Sequence, residues 1–181
     1  MQSKDNKMKF DVKKALEILQ RTPAVLQAML SGLSDDWIRQ NEGGDTWSPY
    51  DVIGHLIHGE KTDWVPRMEI ILSDGTNKSF VPFDRFAQFG ESKEKPLQQL
   101  LDEFAALRSK NIEILRAKKL TPQDLLKTGI HPAFGQVSLS QLLSTWVVHD
   151  LTHISQVSRV MSKQYTEEVG PWIEYLRVLR S

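Results

Sequence analysis

The chain has 181 residues, 23 Lys and Arg against 23 Asp and Glu, 40% hydrophobic residues and no cysteine. That length suits one domain with a sizeable core rather than two, and the balanced charge leaves no net field to draw in nucleic acid or an anionic membrane surface. Without cysteine there are no disulfides, thiolate metal ligands or cysteine nucleophile, and no run nears the roughly 20 apolar residues of a membrane span.

The opening segment, MQSKDNKMKF, lacks the apolar stretch of a secretion signal, which gives the expectation of a cytoplasmic protein. DVKKALEILQRTPAVLQAMLSGL then sets Val12, Leu16, Leu19, Leu26, Met29, Leu30 and Leu33 at steps of three and four, the period of an amphipathic helix. Thr22-Pro23 inside that run predicts a kink or a restart, with Thr22 as the N-cap. The Asn41-Glu42-Gly43-Gly44-Asp45 cluster reads as a loop. Ser48-Pro49 opens a second helix by the same chemistry, a serine cap followed by a first-turn proline. Its apolar positions are Val52, Ile53, Leu56, Ile57, Trp64 and Met68, and Pro66 is expected to bend it.

Residues 74–91, DGTNKSFVPFDRFAQFGE, follow neither the helical nor the strand period yet hold four phenylalanines. A long aromatic loop in a compact domain covers something, so this segment reads as a lid with Phe83 and Phe86 lining a pocket. The third helix, PLQQLLDEFAALRSKNIEILRAKK, carries Leu97, Leu100, Leu101, Phe104, Leu107, Ile114 and Leu115 on one stripe, with Arg108 and Asn111 on or beside it. From Thr121-Pro122 to Gly135 the sequence reads as loop. The fourth helix starts near Ser138 and puts Leu139, Leu142, Leu143, Trp146, His149, His153, Val157 and Val160 on its inner face. After the stop at Val169-Gly170-Pro171, a short terminal helix is expected to cap the bundle with Trp172, Tyr175 and Leu176. Four amphipathic helices with almost no strand signal predict an all-α four-helix bundle.

The stretch WVVHDLTHISQVSRV raises the chemical question. His149 and His153 lie four apart, one above the other on a core-facing stripe, within reach of a single ion. Two readings are open: each ring is a core residue bonded to a carbonyl, or both ligate a divalent metal. Joint burial of two imidazoles is costly unless something satisfies them, and metal sites in bundles are built from facing helices. In GHLIHGE, about 100° of rotation per residue puts His55 at the edge of the apolar arc and His58 nearly opposite its centre. His55 is therefore the better third ligand, and His58 reads as a surface residue. His131, in a loop before proline, reads as a turn residue placed to line a pocket mouth.

HDLTH also resembles the zincin pattern H-E-x-x-H, but Asp150 stands where the general-base glutamate would be, one methylene short. Asp150 reads better as a carboxylate behind the ligands or facing solvent. Arg108 and Asn111 have two readings, a buried hydrogen-bond network or an anchor for a ligand carboxylate. Under the first, Arg108 pairs with Glu60 or Asp63; under the second, Arg108→Met would spare the fold and weaken ligand binding.

Taken in order, RTPAVLQAML, TWSPYDVIGHLIHGE, LDEFAALRSKNIEIL, FGQVSLSQLLSTWVVHDLTHISQ and VGPWIEYLRVL resemble the DinB-like superfamily of YfiT-type metalloenzymes over nearly the whole chain. The resemblance implies a single DinB-like domain over 1–181 and a four-helix bundle of unusual connectivity. It implies a metal held by one histidine of the second helix and the HxxxH pair of the fourth, here His55, His149 and His153, with zinc or nickel favoured. It also implies a small-molecule substrate and a homodimer. Relatives of this kind include thiol-dependent S-transferases and an isomerase using a low-molecular-weight thiol cosubstrate, alongside metal-dependent hydrolases and stress-induced proteins. Hydrolysis normally wants a general base near the water, and the inward carboxylates here are only Asp150 and Glu60. Thiol transfer asks less of the protein. The expectation is a metal-dependent S-transferase acting on a small electrophile, with Asp150, Arg108 and Asn111 as catalytic candidates. The alternatives are a metal-dependent hydrolase and a non-catalytic metal-binding stress-response protein.

Overall fold

The computed structural model describes residues 9–180; MQSKDNKM, on which most of the leader reading rests, lies outside them. All four helical arms are present, and the first two are broken. The first arm comprises α1 (Val12–Leu19) and α2 (Thr22–Leu30). Pro23 has no N–H to donate and fits the first turn of α2. Thr22 does not cap that turn, because its hydroxyl donates back to the Ile18 carbonyl at 3.3 Å.

After a short α3 (Asp35–Arg39), the second arm comprises α4 (Pro49–Thr62) and α5 (Trp64–Leu72). Ser48 and Asp51 cap α4 reciprocally, each side chain accepting from the other's backbone N–H. Pro66 does not merely bend this arm. Its ring conflicts with the carbonyl four residues back, which belongs to Thr62, and the helix breaks there at Asp63 (φ −109°, ψ −70°). The chain continues through α6 (Ala87–Glu91), the unbroken third arm α7 (Leu97–Ala117) and a short α8 (Pro122–Leu126). A hairpin of β1 (Thr128–His131) and β2 (Gly135–Ser138) leads into the fourth arm, α9 (Leu139–Lys163), which Ser138 and Gln141 cap reciprocally.

The α8 helix and the hairpin stand where the sequence suggests only loop. Thr121 and Asp124 form a capping box that starts α8. The strands pair antiparallel with Thr128 opposite Ser138 and His131 opposite Gly135, whose φ of +68° closes the turn. The segment before α6 is tied to this hairpin: Phe80 N–H donates to the Ile130 carbonyl at 2.9 Å, and Ile130 N–H to the Lys78 carbonyl at 2.8 Å. Gly129 admits the buried Phe80 ring, since a Cβ there would lie 2.5 Å from Phe80 Cε1 and 3.0 Å from Ile71 Cγ1. Gly129→Ala is expected to cost ~1–3 kcal/mol of stability by overpacking, measurable by chemical denaturation.

Two apolar clusters fill the bundle. One gathers Leu26, Leu30, Ile53, Leu56, Leu100, Phe104 and Val157; the other gathers Leu19, Trp64, Met68, Ile112, Leu115, Leu142 and Trp146. On α4–α5, α7 and α9 alike, buried polar residues fall between members of the two clusters: Glu60, Arg108 with Asn111, and Asp150 with His153. The bundle thus has a polar waist. The terminal segment forms two 3₁₀ turns, Gly170–Tyr175 and Arg177–Leu179, the second packing on α9. Trp172 and Tyr175 do not cap the core as expected; they are 69% and 81% exposed. Among the described residues no helix is long and apolar enough to cross a membrane.

Candidate metal centre

The waist brings α4 and α9 together at three histidines. His55 Nε2 lies 3.0 Å from His149 Nε2, which lies 3.1 Å from His153 Nε2, and one ring nitrogen of each is within 4.8 Å of the other two. Two nitrogens each about 2.0–2.1 Å from one ion and separated as these are would subtend roughly 90–100° at it, an ordinary ligand angle. His153 Nδ1–H donates to Gln156 Oε1 at 2.8 Å, which leaves the Nε2 lone pair facing the cluster. The Nδ1 atoms of His55 and His149 are buried with no hydrogen-bond partner among the described residues. Converging lone pairs on buried rings are what a divalent cation satisfies, so the donor set fits such an ion.

Electrostatics keep these rings ready as ligands. Burial, reinforced by the neighbouring His153, lowers the His55 pKa to about 3. Burial and the charges of His153, His55 and Arg108 lower that of His149 to about 2. Burial also lowers His153, against the opposing pull of Gln156 and Asp150. All three rings are neutral near pH 7, the state a metal requires. In the unfolded chain they take protons near the ordinary value of 6.5, so the unfolded state binds more protons as pH falls. Metal-free protein is therefore expected to hold this share of its stability above about pH 6.5 and to lose it progressively towards pH 3. Thermal melts of chelator-treated protein across that range check the sign.

His58 is not the surface residue that helical phase suggests. It is 7% exposed, with Nδ1 at 3.1 Å from Glu91 Oε1 and the Phe83 ring 5.0 Å away. The segment 83–91 covers that face of α4. His58 is buried outside the triad.

Arg108, Asn111 and Asp150 form a buried polar network instead of lining the histidine cavity. Arg108 is 1% exposed and donates to Asp150 (2.5 and 2.8 Å), to Glu60 Oε1 (2.8 Å) and to the Leu19 carbonyl (2.9 Å). Burial alone would lower its pKa, but Glu60 and Asp150 outweigh that and raise it. Asn111 donates to the Glu60 carbonyl and carboxylate at 2.8 and 3.0 Å, and Trp146 Nε1–H to the same carboxylate at 3.0 Å. Arg108 Nε is buried without a partner, but the guanidinium does not line the histidine cavity and so is not placed to anchor a ligand there. Asp150 does not face solvent; it is fully buried and takes up Arg108 from behind the histidines.

A cavity of about 390 Å³ opens in front of the triad. Trp47, Phe83 and Trp64 wall its inner end, with the Trp47 ring centroid 4.7 Å from that of His55 and near-parallel to His153. Phe80, His131 and Val137 line it from the hairpin side. Of the expected lid residues, Phe83 lines the cavity and Phe86 does not; it is 62% exposed and stacks on Phe89. His131 does line the cavity. The sequence reading did not single out Arg67, Arg85, Gln141 or Thr145, which complete the wall, nor Asp63 as part of it. The one available signal was the i, i+4 spacing of Asp63 and Arg67, which pair at 2.5 Å. Burial raises the Asp63 pKa, while Arg67 pulls it back down.

Fold and site together define a helical bundle with a buried three-histidine centre capable of holding a divalent metal. The chain belongs to the DinB superfamily, whose family model matches residues 18–157. Among solved structures it is similar to YfiT from Bacillus subtilis, with a TM-score of 0.73 and 19% identity over 91% of this chain and 93% of that one. YfiT is described as a probable metal-dependent hydrolase with an unusual four-helix bundle topology, the fold seen here. A DinB-like protein from Bacillus cereus is similar with a TM-score of 0.55 and 19% identity over 87% of this chain and 95% of that one. No curated protein sequence matches the chain.

Proposed function

We propose that this protein is a divalent-metal-dependent enzyme that joins a low-molecular-weight thiol, as its thiolate, to a small electrophile, with His55, His149 and His153 holding the ion. Zinc or nickel suits three neutral imidazoles. A metal so held lowers the pKa of a thiol or water bound to it and presents the nucleophile directly.

The observation that carries the choice of thiol over water is the commitment of the inward carboxylates. Glu60 and Asp150 are both tied to Arg108, and Asp63, on the cavity wall, is paired with Arg67. A reaction that leans on a protein base to activate water has no free carboxylate among these three, whereas a thiol ionises far more readily than water. The protein's own share is to fix three imidazoles, to keep them neutral by burial, and to pack Trp47 and Phe83 against His55. The hydrolase reading has one support, the description given to YfiT.

The test is metal analysis of untagged protein followed by a screen of thiols against electrophiles. Metal-dependent consumption of both thiol and electrophile is the expected result. Cleavage of esters or amides without thiol would replace this reading by the hydrolase, and bound metal with neither activity by a binding protein.

A further inference from the structure

At two side chains of the cavity wall, Gln141 and His131, the fold uses the acceptor and leaves a donor. Gln141 Oε1 accepts the Ser138 N–H at 2.8 Å in the cap of α9, so its amide NH₂ is the end left for the cavity. His131 Nδ1 accepts the N–H groups of Ala133 and Phe134 at 3.1 and 3.2 Å, which fixes the neutral tautomer with its proton on Nε2. The Thr145 hydroxyl donates to the Gln141 carbonyl at 2.8 Å. The Asp63 carboxylate faces Arg67, so those two charges cancel. Arg85 lines the cavity with no ion pair or hydrogen bond among the described residues, and its charge is felt at His55.

We infer that the substrate carries a carboxylate, bound by the Arg85 guanidinium together with the Gln141 amide and His131 Nε2–H, on an apolar body lying between Trp64 and Leu142. This deepens the proposed function and rests on it only for the histidine centre being the reacting end. A single uncancelled positive side chain matches a monoanion better than a phosphate dianion, and a planar guanidinium matches a carboxylate's two oxygens. The volume of about 390 Å³ lies within the range of small-molecule sites. Arg108, the anchor suggested by the sequence, is locked in the waist, and Arg85 takes the role from the aromatic segment.

The test is calorimetric titration of 3-phenylpropanoate, 3-phenylpropanamide and phenyl phosphate into the protein, both metal-loaded and chelator-stripped. The carboxylate is expected to bind at least about tenfold tighter than the amide in both forms, and tighter than the phosphate. Arg85→Gln should remove most of that preference without changing metal content. Gln141→Glu keeps the cap acceptor, and Glu is the usual residue at that position of a capping box, so the fold should hold while the carboxylate is repelled. A preference that vanishes when metal is stripped would make the ion the anchor and overturn the assignment. So would a preference that survives both substitutions, a phosphate bound tighter than the carboxylate, or no binding of any probe at millimolar concentration. Carboxylate preference through Arg85 in a protein that takes up no metal would sustain this assignment and sink the metal reading.

Discussion

Replacing His55, His149 or His153 with alanine is expected to weaken divalent metal binding by more than about 100-fold, beyond the 10–100-fold that loss of a supporting partner costs. Each ring contributes one of the three nitrogens that meet at the waist. His58→Ala, which removes the imidazole one turn along the same helix, should keep stoichiometric metal. It should lose only ~1 kcal/mol of stability with its bond to Glu91. Metal content of untagged variants after dialysis separates the two classes. Loss of metal in His58→Ala with retention in His55→Ala would mean that α4 presents a different face to the site.

The second large effect is on folding. Arg108→Met should cost ~3–5 kcal/mol, because it strands the buried carboxylates of Glu60 and Asp150 without their cation. Of the two readings the sequence left open for Arg108, the structure favours the buried network, under which this substitution does not spare the fold. Removing the charges together, as Arg108→Met with Glu60→Gln and Asp150→Asn, should recover much of the loss, since a buried ion pair contributes little net stability once no charge is stranded. Urea denaturation of the single and triple variants measures both. A single variant within ~0.5 kcal/mol of the parent would show that the network is not a structural clamp between α4, α7 and α9.

These two cases show what was legible in the sequence. Helical phase alone singled out His55 over His58 as the companion of His149 and His153, because α4 and α9 are regular helices whose periodicity survives in the fold. Arg108 and Asn111 were recognisable as polar residues on a buried stripe. Of the partners of Arg108, Glu60 was named, beside Asp63, but Asp150 was not, because it lies 42 positions away and pairing at such a separation depends on how helices cross. His58 was misread for the same kind of reason: α6 and Phe83 cover it, and those residues follow no period. The hairpin escaped notice because four-residue strands give too little alternation to detect. Asp63 was visible as a charge but not as a wall residue, since its place depends on a helix break set by Pro66. The wall that selects a ligand is thus the least legible part, being assembled from the hairpin, the aromatic segment and the two helix ends.

The central claim is that three imidazoles hold a metal to which a thiol is added. X-ray absorption on untagged, metal-loaded protein tests it most directly. Three imidazole nitrogens at about 2.0–2.1 Å are expected, and addition of a low-molecular-weight thiol should exchange one light ligand for a sulfur at about 2.3 Å if the ion is zinc. A metal without imidazole scattering, or a spectrum unchanged by saturating thiol, would contradict it.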